Sequence, residues 1–144
     1  MGNQKPTRGR VFVVEDSDFL RQRIAQTVRE TGQFEIVGEA ASAGEAIRGV
    51  EKLRPDIVTV DLHLGRGGSG WDVIDSVGGL AGHVMILTNN NDEISRAAAA
   101  QRNVRYFFDK TTQLEEFVEC LLNLPLELNG QAPAATPAAK LAQS

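Results

Sequence analysis

The sequence predicts a doubly wound α/β fold, with five parallel strands in the order 2-1-3-4-5 alternating with five helices. Three observations carry this expectation. Short apolar runs alternate strictly with segments of helical period, the pattern of repeated strand–helix units. The first, third and fourth runs are nearly unbroken in apolar residues, as strands covered on both faces must be. The second and fifth are interleaved with Glu35, Glu39 and Arg105, which suits the two edges of the sheet.

Val11-Phe12-Val13-Val14 is the first strand and runs into Glu15-Asp16. Ser17 is placed to cap a helix on which Leu20, Ile24 and Val28 share a face, and Gly32 closes it. The second strand covers 34–40. Ser42 and Glu45 form a capping box, in which hydroxyl and carboxylate satisfy each other's orphan amides. The helix that follows carries Ile47, Val50 and Leu53, and Pro55 breaks it. Ile57-Val58-Thr59-Val60 is the third strand, ending at Asp61. The glycine-rich loop 65–70 leads to a short helix with Val73, Ile74 and Val77 inward, and Trp71 covers its start. Val84-Met85-Ile86-Leu87 is the fourth strand, ending at Thr88. Asn91 is expected to cap the next helix, with Asp92 and Glu93 in its first turn, where negative charge suits the helix dipole. The fifth strand is expected over 104–108, just before Lys110. A second capping box, Thr112 with Glu115, should open a last helix striped by Leu114, Phe117, Val118, Leu121 and Leu122. Cys120 on that helix reads as a small buried apolar residue. The strand order is the flavodoxin-like one.

Composition bounds the function. The chain has 144 residues, 42% hydrophobic and 24% charged, with a formal charge of -4. That length suits one domain with its own core. We expect a flexible leader at 1–9, a folded domain over 10–124, and an Ala/Pro-rich disordered tail at 125–144. One cysteine excludes a disulfide framework and a thiolate zinc cluster. The mild acidity argues against nucleic acid as a partner. No apolar run is long enough to span a membrane. The opening stretch MGNQKPTRGR lacks the apolar segment of a secretory signal, so a cytoplasmic location is the expectation.

In a parallel sheet of this order, ligands sit at the carboxyl ends of the strands. Those ends here carry Glu15, Asp16, Asp61, Thr88 and Lys110. Three carboxylates brought together repel one another, and a hard divalent cation such as Mg²⁺ relieves that repulsion. The Lys110 ammonium is a compact positive charge for phosphoryl oxygens, and the Thr88 hydroxyl can donate one more hydrogen bond. A carboxylate nucleophile, a metal, a lysine and a hydroxyl are the parts that phosphoryl transfer to an aspartate requires.

With these five positions in register, the chain resembles the response-regulator receiver domain of two-component signalling, over about residues 10–124. The carrying residues are Glu15-Asp16, Asp61 in VTVDLHL, Thr88 in MILTNN and Lys110 in YFFDK. The resemblance implies that Asp61 accepts a phosphoryl group from a phosphohistidine, on a sensor histidine kinase or a histidine phosphotransfer protein. It implies that Mg²⁺ is held by Asp16, by Asp61 and by the backbone carbonyl of His63, with Glu15 acting through water. Thr88 and Phe107 would form the switch pair that reshapes a partner-binding face, and His63 and Asn90 would tune the lifetime of the phosphorylated state. On this resemblance the chain is a stand-alone receiver, a monomer or weak homodimer. It would not be an enzyme beyond its own phosphorylation and dephosphorylation.

Several positions depart from the family pattern. Gly65 stands where proline is usual, Asn89 where a small residue is usual, Phe107 where tyrosine is common and Thr111 where proline is common. Without that proline, a cis peptide after Lys110 is not expected. Other readings stay open on the sequence. Glu15-Asp16 alone could simply cap a helix, Lys110 could be a solvated loop lysine, and Phe107 and Phe108 could be core on opposite faces. A degenerate receiver would serve as a constitutive interaction module. A small phosphatase with an aspartyl nucleophile would want a second Asp where His63 stands. The G-x-G-x-x-G pattern at 65–70 formally matches a dinucleotide loop but lies in the third unit rather than the first.

Overall fold

The computed structural model describes residues 7–126. Five parallel strands form one sheet: β1 (Gly9–Val14), β2 (Phe34–Ala40), β3 (Ile57–Val60), β4 (His83–Thr88) and β5 (Tyr106–Asp109). Their order is β2-β1-β3-β4-β5, as the apolar patterning requires. Five helices connect and follow them: α1 (Asp18–Glu30), α2 (Ala43–Leu53), α3 (Gly70–Val77), α4 (Glu93–Gln101) and α5 (Leu114–Leu122).

The unbroken apolar runs are explained by two cores, one on each face of the sheet. Side chains alternate across a strand, so Phe12 and Val14 of β1 enter one core while Val11 and Val13 enter the other. The first core adds Val50 of α2, Val73 and Val77 of α3, and Ala99 of α4. The second adds Ile24 and Val28 of α1 and Phe117 and Leu121 of α5. The three aromatics of β5 divide in the same way, Phe107 against the first core and Tyr106 and Phe108 against the second. The Phe108 ring meets Phe117 edge-on at 6.1 Å. Trp71 is partly buried against the first core, and Cys120 is half-buried beside the second.

Helix starts follow local chemistry. Ser17 Oγ accepts from the Leu20 amide, and Ser42 Oγ from the Glu45 amide. The returning Glu45 carboxylate accepts from Ala41 N rather than from the cap residue itself. Three expectations are corrected. The cap of α4 is Asp92, which accepts from Ser95 N at 2.7 Å, while Asn91 accepts from Arg96 Nε instead. The fifth strand begins at Tyr106 and not at 104, because Val104 N closes the end of α4 by donating to Ala99 O. The second capping box does not form. Asp109 Oδ1 takes the Thr111 and Thr112 amides, and α5 starts behind Gln113 without a side-chain cap.

No cis peptide occurs among the described residues, so the Lys110–Thr111 bond is trans, as the missing proline led us to expect. Residues 1–6 and 127–144, which include most of the leader and tail, lie outside the described residues. Arg8, Pro125 and Leu126, sequence neighbours of those segments, rest on the body. Arg8 donates to Leu122 O and Leu124 O, Pro125 O is 3.0 Å from His83 Nε2, and Leu126 packs on the second core. Among the described residues, no helix is long and apolar enough to cross a membrane.

Candidate functional site

All five candidate residues stand at the carboxyl edge of the sheet. Glu15 and Asp16 follow β1, Asp61 follows β3, Thr88 ends β4, and Lys110 follows β5. Glu15, Asp61, Thr88 and Lys110 are buried, while Asp16 is exposed. Glu15, Asp16 and Asp61 each offer a carboxylate oxygen, and these oxygens lie within 4.8 Å of one another. The set is all hard oxygen, the donor chemistry that Mg²⁺ prefers over sulfur or imidazole.

Lys110 organises the buried pair. Its Nζ donates to Asp61 Oδ2 at 2.6 Å and to Glu15 Oε1 at 3.0 Å. Burial alone would lower the lysine pKa, but the two carboxylates outweigh it and hold the ammonium above its ordinary value. Burial pushes the Glu15 carboxyl up. The Ser17 amide and Lys110 pull it down, and the Asp61 charge adds to the rise. The Ser17 amide donates to Glu15 Oε2 at 3.0 Å, which fixes the carboxylate against its own loop.

Thr88 is buried, and its Oγ1 accepts from Asn90 N at 3.2 Å. Its hydroxyl proton is therefore still available to donate elsewhere. His63 is exposed, and its amide lies 3.4 Å from Asp61 Oδ1. Phe107 does not touch the carboxylate cluster. It is partly buried, with the Arg96 guanidinium 4.7 Å over its ring. Phe107 pairs in register with Ile86, two residues before Thr88.

The glycine-rich loop serves the site through its backbone. Gly65 sits at φ +58, and a side chain there would meet Asp16 Oδ2 at 3.0 Å. Gly70 lies against the Asp61 carbonyl, where a Cβ would come within 2.1 Å of the oxygen. This close packing accounts for glycine in the loop without a dinucleotide.

Sequence reasoning missed Arg21. Its Nη1 donates to Glu15 O, its Nη2 pairs with Asp18 and its Nε with Glu39, so one guanidinium ties the acidic turn to α1 and β2. The Asp18–Arg21 spacing on a helix was the available signal.

A flavodoxin-like α/β domain with a carboxylate–lysine cluster at its strand ends defines the class. Residues 11–122 match the response regulator receiver domain, and the chain belongs to that family. It is similar to the protein-glutamate methylesterase/protein-glutamine glutaminase of Alkalilimnicola ehrlichii, 44% identical over 55 residues. That match covers 38% of this chain and only 14% of the methylesterase. The signal receiver domain of the putative response regulator NarL from Mycobacterium tuberculosis superposes with a TM-score of 0.73 at 22% identity. It covers 82% of this chain and 96% of that one. A Burkholderia pseudomallei response regulator, solved with a phosphorylated aspartic acid, calcium ion and citrate, gives 0.69 at 18% identity. The match covers 93% of this chain and 71% of that one. At these identities the structural likenesses establish the fold.

Proposed function

We propose that Asp61 takes a phosphoryl group from a phosphohistidine on a histidine kinase or a histidine phosphotransfer protein. The convergence of Asp61, Glu15 and Lys110 within hydrogen-bonding distance carries this reading. An Asp61 carboxylate oxygen attacks phosphorus. A P–O bond forms as the P–N bond breaks, and the imidazole leaves with the electron pair and takes a proton.

Asp16, Asp61 and the His63 carbonyl would hold Mg²⁺ directly. Glu15, already accepting from Lys110 and Ser17, would act through water. When bound, the ion neutralises carboxylate and phosphoryl charge. Lys110 exchanges its contact with Asp61 for a phosphoryl oxygen, and the Thr88 hydroxyl donates to another. Thr88 then moves toward the phosphoryl group, Phe107 follows it, and the face around α4, β5 and α5 changes for an unidentified downstream protein. This is a population shift driven by contacts that exist only in the phosphorylated state. The His63 and Asn90 side chains, flanking the acceptor and Thr88, set how long that state lasts. The chemistry proposed for this domain ends with its own phosphorylation and dephosphorylation. The glutamate methylesterase activity named for its relatives is not proposed for it.

The test is incubation with Mg²⁺ and acetyl phosphate, or with beryllofluoride. The wild type should gain the mass of one phosphoryl group, or show shifts in amide resonances with beryllofluoride, and Asp61→Ala should do neither. No modification or perturbation of the wild type, with no difference from Asp61→Ala, would leave a constitutive interaction module as the reading. Multiple turnover on small phosphate esters would point to a phosphatase instead.

A further inference from the structure

Thr88 and Phe107 are bridged by a side chain that belongs to neither. Arg96, in the first turn of α4, holds its guanidinium 4.7 Å over the Phe107 ring. Its Nε donates to Asn91 Oδ1 at 2.7 Å. Asn91 lies in the loop that Thr88 opens, and the Asn90 amide of that loop donates to the Thr88 hydroxyl oxygen. One guanidinium therefore touches both the aromatic of β5 and the segment that must travel with Thr88.

The hydrocarbon of α4 is too small to fix the ring in its place. The helix reads EISRAAAAQ and buries only Ser95 and Ala99. Its one large apolar side chain, Ile94, is 82% exposed. A cavity of about 290 Å³ lies beside Phe107, walled by Ala99, Ala100 and Val104 as well as Arg96. Phe107 has no hydroxyl, so the face of its ring is the polar handle it offers, and a cation occupies that face. The far end of α4 is tied down separately. Arg102 pairs with Asp75 at 2.8 Å and lies 4.6 Å over the Trp71 ring, which joins that end to α3.

We propose that Arg96 is a latch that holds Phe107 and the loop after Thr88 in the unphosphorylated arrangement. The contact coexists with Lys110 on Asp61 and with the Thr88 oxygen taken by the Asn90 amide, the pairings that phosphorylation has to exchange. Thr88 moving to a phosphoryl group pulls the loop away from Arg96, and Phe107 moving after it leaves the guanidinium. The latch rests on the phosphoryl-transfer reading and adds a threshold to it, set by one exposed arginine. A cation–π contact at an exposed site biases a two-state equilibrium about two- to fivefold. That is enough to suppress switching at rest and little enough for a phosphoryl group to overcome.

Two variants separate charge from bulk. Arg96→Met keeps an unbranched side chain and removes the cation and the Nε donor. Arg96→Lys keeps the cation and loses the Nε bond to Asn91. Each is titrated with beryllofluoride and Mg²⁺ as the whole ¹⁵N-labelled chain, following the amides of Thr88, Asn90 and Phe107. Arg96→Met should bind beryllofluoride about two- to fivefold more tightly than wild type. Its free resonances should be displaced toward the positions wild type reaches when bound, and Arg96→Lys should fall between the two. Loss of a merely structural contact would weaken binding, so the direction of the change is the decisive readout. Affinity equal to or below wild type, or free resonances that do not move toward the bound positions, would overturn the latch while leaving phosphoryl transfer intact. A wild type that ignores beryllofluoride overturns the phosphoryl-transfer reading, and the latch with it.

Discussion

The Lys110 ammonium reaches 2.6 Å from Asp61 Oδ2, linking the ends of β5 and β3 across β4, which lies between them in the sheet. With Glu15 it closes a buried triad drawn from three strand ends. Removing the cation leaves two buried carboxylates facing each other. Lys110→Met should cost about 3 kcal/mol in urea unfolding at neutral pH, the scale for breaking one side of a buried ion pair. Added Mg²⁺ should return part of that loss in the variant. A cost within about 0.5 kcal/mol, the range of ordinary surface substitutions, would show that the triad contributes nothing to the fold.

The same triad sets a pH dependence with a definite sign. Glu15 has a raised folded pKa, so the folded protein holds that proton more tightly than the unfolded chain does. Its contribution is greatest below its ordinary value of 4.5 and is lost as pH rises through the folded value. Lys110 is also raised. Its contribution is complete below its ordinary value of 10.5 and is lost as pH climbs through the folded one. Asp109 is lowered by the Thr111 and Thr112 amides and acts oppositely, losing its contribution in acid. The informative quantity is therefore the difference between wild type and Glu15→Gln. From pH 4 to pH 8 the wild type should lose stability relative to the variant, measured by urea midpoints. The opposite slope would contradict the raised Glu15.

The parts legible in the sequence were those governed by burial and by short-range spacing. Val11 to Val14 must be an interior strand because both faces are apolar, and Ser17 caps because its hydroxyl is three residues from the Leu20 amide. Three placements failed where two local partners competed. Asn91 and Asp92 are both good caps, and Arg96 claimed the Asn91 oxygen, leaving Asp92 for the helix. Thr112 has the spacing of a cap, yet the Asp109 carboxylate took its amide first. Val104 has strand character, yet the left-handed Asn103 turns the chain so that Val104 finishes α4. At the site, the carboxylates and lysine were readable as strand-end residues. Arg21 was legible only as the i,i+3 partner of Asp18, because its hold on the Glu15 carbonyl is a backbone contact that leaves no pattern in the side chains.

Gly70 should be intolerant of any side chain, and the reason is contact rather than backbone angle. A Cβ there would sit 2.1 Å from Asp61 O and 2.8 Å from Leu62 Cα, both backbone atoms that cannot rotate away. Gly70→Ala should cost about 2–3 kcal/mol, the upper range for overpacking, and should weaken beryllofluoride uptake by displacing Asp61. Gly79→Ala is the control, since nothing lies within 4 Å of its Cβ position. It should unfold within about 0.5 kcal/mol of wild type. Equal midpoints for the two variants would refute the close approach.

Asp16 separates the fold from the metal chemistry. It is the exposed member of the carboxylate cluster, whereas Glu15 and Asp61 are buried and held by Lys110. Neutralising it should therefore leave the metal-free protein as stable as wild type. A cation that binds only the folded state adds stability by mass action, about 2.7 kcal/mol at a hundredfold excess over its dissociation constant. Wild type should gain on that scale as Mg²⁺ is raised at fixed ionic strength, and Asp16→Asn should gain far less at the same concentrations. Calorimetric titration of the metal alone gives the same comparison without unfolding. An equal Mg²⁺ gain in both proteins would mean that the ion is held elsewhere, because no other change separates the two chains.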